Sequence, residues 1–150
     1  MRVVIQRVSE SSVFIDGKVH ARIDRGLLVL VGIETGDTEA DLPWICGKIA
    51  RLRVFPDAEG VMNLNVAEVS GELMVVSQFT LHASTHKGNR PSYTRAAHPD
   101  LALPLYQRFV EALGRESARP VQSGVFGADM KIHLVNDGPV TLIMDSRLRE

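Results

Sequence analysis

Polar residues interrupt an apolar run at residues 73–81, and this interruption is the first place in the chain where chemistry is to be expected. The run contains Ser77, Gln78 and Thr80. A strand that only packed a core would stay apolar or alternate, and departures from such local rules are typical of functional sites. Hydroxyl and amide groups beside backbone N–H donors suit the stabilisation of an oxyanion at a strand end.

No residue near this run resembles a dedicated general base. The chain has neither a Gly-x-Ser-x-Gly elbow nor a Ser-x-x-Lys motif, and a hydroxyl nucleophile needs an activating partner. His82, His86 and His133 lie close to polar segments, but surface or packing roles are favoured for each. His82 and His86 lack the glutamate of a His-Glu-x-x-His site, and the single Cys46 indicates buried packing. We therefore predict no metal and no cofactor.

A second apolar run, residues 132–141, is divided by Gly138-Pro139. Proline removes a hydrogen bond from a strand ladder, so the pair has either an ordinary role as a turn or a special role as a cis peptide. In the second case two carbonyl oxygens would point outward in a rigid arrangement. The residues alone leave both interpretations open, because few X-Pro bonds are cis in folded proteins.

Composition limits the class of protein. The chain has 150 residues and a formal net charge of −1, which gives no general attraction to nucleic acid, so any RNA contact must be local. No apolar run approaches the length of a membrane span, and the N-terminus lacks the pattern of a signal peptide, so a cytoplasmic location is expected. Three basic patches are candidates for a local contact: Arg51 with Arg53, Lys87 with Arg90 and Arg95, and Arg147 with Arg149.

The first part of the chain predicts strands followed by a helix. Alternation and apolar runs indicate strands at residues 3–8, 12–15, 18–23 and 27–33, with Asp16-Gly17 as a hairpin turn. A helix then begins between residues 37 and 42 and buries residues at helical spacing: Leu42, Ile45, Ile49 and Leu52.

The second part predicts a strand at 73–81, a polar loop at 82–97 and a second helix. The buried stripe of that helix is predicted to be Leu101, Leu105, Phe109 and Leu113. Because Pro104 is disfavoured beyond a first helical turn, the helix is predicted to begin near Ala102 or Leu103. Two final strands surround residues 136–139. The whole predicts a mixed α/β fold, one domain over residues 1–150 with a curved, barrel-like β-sheet packed with two main helices.

Several segments together resemble the D-aminoacyl-tRNA deacylase family, whose members hydrolyse D-amino acids from mischarged tRNA. The segments occur in order along the whole chain, at residues 6–8, 26–30, 62–64, 75–81, 90–93, 124–128 and 136–141. The resemblance implies an editing hydrolase that cleaves the ester of D-aminoacyl-tRNA and also of mischarged glycyl-tRNA. It further implies a homodimer with two composite sites.

The resemblance also implies catalytic roles. The segment Ser77, Gln78, Phe79 and Thr80 would line the pocket, with the Phe79 and Thr80 backbone amides as oxyanion donors. A ribose hydroxyl of the terminal adenosine would orient or activate water, which explains the missing base. Thr80 as a covalent nucleophile is an alternative.

Selectivity is implied to come from the other subunit. Gly138 and Pro139 would enter the partner's pocket, where their carbonyls exclude an L-residue and admit a D-residue or glycine. Arg7 would help to hold this motif, and Met130 would form a wall of the same pocket.

Two other functions compete with the editing hydrolase. The first is a noncatalytic tRNA-binding module that uses the loop from Lys87 to Arg95, although phosphate binding gives no reason for a Gly-Pro wedge. The second is a small-molecule esterase with Thr80 or Ser77 as nucleophile. Segments 82–89, 101–104 and 145–150 depart from the usual family pattern, which leaves the tRNA preference open.

Overall fold

A computed structural model describes residues 1–149, which form eight strands and two α-helices. Two short 3₁₀ turns lie at Glu39–Asp41 and Phe79–His82. The helices are α1 (Leu42–Arg51) and α2 (Pro99–Ser117). The strands are β1 (Arg2–Ile15), β2 (Lys18–Ile23), β3 (Gly26–Gly32), β4 (Phe55–Pro56), β5 (Met62–Leu64), β6 (Glu72–Ser77), β7 (Val121–Ser123) and β8 (Lys131–Asp145).

One strand, β1, organises the main sheet because it has partners along both edges. It pairs with β8 over almost its whole length, and its other edge pairs with β3 through residues 2–8 and with β2 through residues 11–15. Parallel pairs then connect β3 to β6 and β6 to β7. The predicted mixed α/β fold with a curved, barrel-like sheet and two main helices is confirmed.

The central strands are buried on both faces, which explains their continuous apolar sequences. On one face, Val29 and Val75 pack with α1 and α2 in the larger core. On the other face, Leu28 and Met74 join a second cluster with residues of β1 and β2. The position of β6, and of the polar segment that follows it, is therefore fixed from two sides.

Two predicted strands turn out to be parts of longer ones. Residues 3–8 and 12–15 belong to the single strand β1, whose register against β8 shifts at irregularities near Val8. The two strands predicted around 136–139 are the two halves of β8. Between Asn136, which pairs with Val8, and Thr141, which pairs with Gln6, four residues of β8 lie opposite Arg7 alone. The excess backbone bulges out of the ladder there.

The prediction of a strand over 73–81 is wrong in its second half. β6 ends at Ser77, and the chain enters the turn Phe79–His82 after Gln78. The reason is that β3 ends at Gly32, and Val31 with Ser77 is the last pair between the two strands. The hairpin formed by β4 and β5, and the strand β7, are absent from the sequence prediction.

The predicted start of α2 is also wrong. The helix begins at Pro99, where a missing N–H costs nothing, and the amides of Leu101 and Ala102 donate to the His98 carbonyl to close the first turn. Pro104 has no backbone N–H, so one hydrogen bond is missing inside the helix. Leu101 is 45% exposed rather than buried, whereas the predicted Leu105, Phe109 and Leu113 are in the core.

The predicted α1 is confirmed, with Leu42, Ile45 and Ile49 buried and Leu52 half-buried just after its end. Within the described residues, no helix has the length and apolar character needed to cross a membrane.

Candidate active site

The end of β6 is the structural centre of the site. The backbone amide of Gln78 donates to the Val31 carbonyl at 2.7 Å, which extends the ladder between β6 and β3 by one residue before the chain turns. Phe79 and Thr80 are the first two residues of the 3₁₀ turn. Because the first amides of a helical turn have no acceptor inside it, these two N–H groups are available to a ligand.

The side chains at this turn interact with one another. The Gln78 amide nitrogen, Nε2, donates to the Thr80 hydroxyl oxygen at 2.6 Å. The hydroxyl thus accepts a hydrogen bond from a neutral amide, which cannot remove its proton. This arrangement orients Thr80 without activating it as a nucleophile.

A cavity of about 430 Å³ lies beside the strand end and is lined there by Ser77, Gln78 and Phe79. Phe79 and Tyr93 stand at its wall in an edge-to-face pair, with ring centroids 5.1 Å apart. They are 57% and 40% exposed, respectively. Exposed aromatic rings beside a mostly apolar cavity are typical of a site that binds a flat organic group.

Thr80 lines a separate groove on the other side of the turn, of about 740 Å³. Trp44, Arg2 and Ile143 contribute to the same groove. Ile143 is 71% exposed, which is unusual for a large apolar side chain on a strand. The catalytic candidates therefore lie between an aromatic cavity and a partly apolar surface.

One wall of the cavity is tied to the end of β3 by an ion pair. Arg95 Nε lies 2.6 Å from Glu34 Oε1, and the Thr35 amide donates to the Arg95 carbonyl at 3.0 Å. Burial alone would raise the pKa of Glu34, but the hydrogen bond and charge of Arg95 outweigh it, so this pKa is lowered. The ionised pair holds the segment that carries Tyr93 and Ala97 against the sheet.

Gly138 and Pro139 lie in the bulge of β8, are exposed and are joined by a cis peptide bond. Arg7 holds the bulge: its Nε donates to the Asp137 carbonyl at 3.1 Å, and its Nη1 donates to the Val54 carbonyl at 2.5 Å. Gly138 has a φ of +120°, and a Cβ there would lie 2.5 Å from Arg7 Nη2. The bulge therefore requires glycine at this position.

Asn136 completes the support of the bulge. Its side-chain amide donates to the carbonyls of Arg7 and Val140, at 3.0 Å each. Neither Gly138 nor Pro139 lines the aromatic cavity of the same chain. The two polar motifs are thus separate within one subunit.

The remaining candidates have packing positions. Met130 contacts Gly124 and the second core cluster and does not line the aromatic cavity. His82 is fully buried, and neither ring nitrogen has a partner among residues 1–149. His133 packs on Phe14, with ring centroids 4.7 Å apart. Burial raises the pKa of the Cys46 thiol to about 12, so the thiol is unreactive at neutral pH.

Among the cavity residues that sequence reasoning missed, three carry aromatic or imidazole rings: Tyr93, His98 and Phe126. Tyr93 and Phe126 fall in segments that carried the family resemblance, but no role was assigned to either. Phe126 rests on the buried Tyr106, with ring centroids 5.8 Å apart, and the Tyr106 hydroxyl donates to the Val75 carbonyl at 3.0 Å. In the part of the chain that is described, no cluster of three or more His, Cys, Asp or Glu residues could hold a metal ion.

Comparisons with known proteins show the family that the chain resembles. A family model described as D-Tyr-tRNA(Tyr) deacylase matches residues 4–145. Proteins named D-aminoacyl-tRNA deacylase from Flavobacterium johnsoniae and Parabacteroides distasonis are 58% and 59% identical, and each match covers 100% of both chains.

Two solved structures share the fold. One is titled "c-Myc DNA Unwinding Element Binding Protein", with a TM-score of 0.90 and 38% identity over 97% of this chain and 98% of that one. The other is titled "Structural Analysis of a probable eukaryotic D-amino acid tRNA deacylase", with a TM-score of 0.81 and 18% identity over 95% and 97% of the chains. The latter likeness shows the fold alone.

The chain belongs to the D-Tyr-tRNA(Tyr) deacylase family. The resemblance seen in the sequence and the prediction of an enzyme, a hydrolase of the D-aminoacyl-tRNA deacylase class, are both confirmed.

Proposed function

We propose that this enzyme hydrolyses the ester of D-aminoacyl-tRNA, releasing the D-amino acid and free tRNA, and that it rejects L-aminoacyl-tRNA. The observation that carries the proposal is the pair of free amides at Phe79 and Thr80, which end a rigid strand beside an aromatic cavity. Two such donors are suited to a carbonyl oxygen that becomes negative in the transition state.

The reaction needs positioning more than it needs a protein base. Water adds to the ester carbonyl and loses a proton, the two amides stabilise the resulting oxyanion, and the intermediate then expels the ribose oxygen, which takes up a proton. The neighbouring ribose hydroxyl of the substrate is proposed to orient the water. His82 cannot do so, because its ring is fully buried. The hydrogen bond from Gln78 keeps the Thr80 side chain in a fixed position beside the amides.

The cavity is proposed to hold the terminal adenosine. Its volume of about 430 Å³ falls in the range of small-ligand sites, and its interior is mostly apolar. Phe79 and Tyr93 offer exposed ring surface on which a base can stack. The ester attached to the ribose then lies at the polar end of the cavity, next to Ser77 and Gln78.

Chiral selection is proposed to require a second copy of the chain. Gly138 and Pro139 are exposed, are held by Arg7 and do not line the cavity of their own subunit, so a homodimer would bring them to the partner's site. Their carbonyls would occupy the space needed by the side chain of an L-residue. Glycine has no such side chain, so glycyl-tRNA would also be hydrolysed. Met130 would support this pocket from behind β6.

We also propose that residues 1–150 act as a single deacylase domain in the cytoplasm. The two hydrophobic clusters lie on opposite faces of one sheet, which supports a single folding unit.

Two ester substrates and one binding measurement distinguish the proposal from its competitors. Purified enzyme is incubated with D-tyrosyl-tRNA and with D-tyrosine methyl ester, and binding of uncharged tRNA is measured in parallel. We expect rapid hydrolysis of the tRNA ester and slow hydrolysis of the methyl ester. Equal rates on both esters would indicate a small-molecule esterase, and binding without hydrolysis would indicate a tRNA-binding module.

A further inference from the structure

The charge of this chain is distributed unevenly near the cavity. From residue 73 to residue 99 the sequence contains no Asp or Glu, although the whole chain carries a net charge of −1. The same segment contains Lys87, Arg90 and Arg95. A cation-rich stretch without acids is the local feature that a polyanion needs in a protein with no general positive field.

Two of the three cations are free to bind a partner. Arg95 is engaged by Glu34, whereas Lys87 and Arg90 have no carboxylate within ion-pair distance among residues 1–149. Both lie in an exposed stretch, residues 85–95. Their charges are therefore not neutralised inside the described part of the fold.

The loop that carries these residues is fixed at its base. The backbones of Ser84 and Ser92 exchange two hydrogen bonds, of 2.8 and 2.9 Å. Immediately after Ser92, Tyr93 lines the cavity. Arg90 precedes Tyr93 by three residues, so the two Cα atoms are at most about 11 Å apart. Arg90 thus lies close to a residue that lines the cavity, and Lys87 lies in the same short loop.

We propose that Lys87 and Arg90 bind phosphates of the tRNA acceptor strand, in the nucleotides that precede the terminal adenosine. This inference rests on the proposed function, because a nucleoside in the cavity forces the attached strand to leave through its mouth. The Arg90 guanidinium can bind a phosphate through two parallel hydrogen bonds, and Lys87 adds a point charge. These contacts read the backbone and not the bases, so they serve every tRNA alike.

Salt dependence of tRNA binding tests the inference. Dissociation constants for uncharged tRNA are measured across a salt series for the wild type, Lys87→Gln, Arg90→Gln and the double variant. The matched control is Lys18→Gln, an exposed cation at the hairpin between β1 and β2. We expect about tenfold weaker binding for the double variant, and a logarithmic salt slope smaller by about 1.4 for the two lost phosphate contacts, with no change for the control.

A second readout separates loss of a contact from distortion of the loop. Hydrolysis of D-tyrosyl-tRNA is compared with that of a D-tyrosyl ester of adenosine alone, which lacks the preceding phosphates. We expect KM to rise for the tRNA ester in the double variant and to change far less for the adenosine ester. Unchanged tRNA binding and salt slope, or equal losses on the two esters, would overturn the inference.

The inference and the proposed function fail in different ways. A wild type that binds tRNA through Lys87 and Arg90 but hydrolyses neither ester would overturn the proposed function alone. A wild type that hydrolyses both esters while all variants keep their affinity would overturn the inference alone.

Discussion

Thr80 is the only side-chain hydroxyl in the turn that follows β6, and its environment decides between two chemistries. Its hydroxyl oxygen accepts a hydrogen bond from the side-chain amide of Gln78 at 2.6 Å, and this is its one side-chain hydrogen bond among residues 1–149. A threonine nucleophile needs a base to take its proton. The neighbouring amides need none, because a backbone N–H is a permanent donor. The arrangement favours catalysis by the backbone over covalent catalysis by the side chain.

Thr80→Ala is expected to retain substantial activity. If the amides carry the oxyanion, loss of the hydroxyl removes one orienting contact, and kcat should fall by less than about tenfold. Loss of a true nucleophile would reduce kcat by several orders of magnitude. Single-turnover rates on D-tyrosyl-tRNA decide the matter, and near-complete loss of turnover with intact substrate binding would establish Thr80 as the nucleophile.

Gly138→Ala tests the bulge that Arg7 supports. The new Cβ would meet Arg7 Nη2 at 2.5 Å in a backbone conformation with φ of +120°. We expect a loss of about 1–3 kcal/mol in the free energy of unfolding, measured in urea, and weaker discrimination between D- and L-tyrosyl-tRNA.

The control for this substitution is Gly60→Ala. Gly60 also has a positive φ, of +81°, but a Cβ there meets no atom within 4 Å. The free energy of unfolding of this variant should fall only by the cost of an alanine at positive φ. Its discrimination between D- and L-tyrosyl-tRNA should not change. Equal effects of the two substitutions would mean that the Arg7 contact is unimportant.

At the scale of elements, a polar segment becomes a cavity wall because it is anchored to β3. The Glu34–Arg95 ion pair and the hydrogen bond from the Ala97 amide to the Ile33 carbonyl, at 2.9 Å, hold it in place. Arg147 adds a second cation to Glu34, at 3.4 Å. An ionised Glu34 therefore helps to hold this wall of the cavity against β3.

Acid should weaken this anchor. The pKa of Glu34 is lowered from 4.5 in the folded state, so its stabilising contribution is complete above that value and is lost as the pH falls through the folded value. We expect the free energy of unfolding to fall between about pH 5 and pH 3, and to fall less steeply in Glu34→Gln. The pKa of Asp145 is also lowered, so part of the pH dependence of the free energy of unfolding will remain in the variant. An identical slope in wild type and variant would contradict the role of Glu34.

Elements whose periodicity reports local packing could be predicted from the sequence. Leu42, Ile45 and Ile49 mark α1 because their spacing places them on one buried face. The end of β6 could not be predicted. Residues after Ser77 keep a strand-like composition, and the strand stops because its neighbour β3 stops at Gly32, which is a property of the sheet.

The same distinction applies to the site. The proposed catalytic segment can be recognised in the sequence because Ser77, Gln78 and Thr80 interrupt an apolar run. The aromatic cavity was not, since Tyr93 and Phe126 come from segments far apart in the chain and meet only after folding. The Arg7 contact to the bulge likewise joins residues at opposite ends of the sequence, separated by 130 positions.

At the scale of the whole molecule, a single subunit separates the proposed chemistry from the proposed selection. The strand end lies beside the aromatic cavity, whereas Gly138 and Pro139 project from another part of the sheet. The groove beside Thr80 contains the exposed side chains of Ile143 and Leu148, 71% and 67% accessible. Exposed apolar residues beside the proposed site are suited to a contact with a second copy of the chain.

Ile143→Glu is expected to separate the proposed dimer. A buried, unpaired carboxylate in the interface is unfavourable, so the variant should sediment at the mass of one 16.5 kDa chain, while the wild type sediments at about twice that mass. The rate of D-tyrosyl-tRNA hydrolysis, and its preference over L-tyrosyl-tRNA, should be lower in this monomeric variant than in the wild type. The control is Val61→Glu, which changes an apolar side chain that is 51% exposed and lies outside the groove. A wild type that is monomeric and fully selective would contradict the composite site.

The most direct measurement is the initial rate of deacylation of D-tyrosyl-tRNA against that of L-tyrosyl-tRNA, with purified wild-type enzyme in buffer containing a chelator. We expect rapid release of D-tyrosine and release of L-tyrosine no faster than without enzyme, since the Gly138 and Pro139 carbonyls would exclude the L side chain. Comparable rates on the two esters would contradict chiral selection, and no hydrolysis of either would contradict the catalytic role of the strand end.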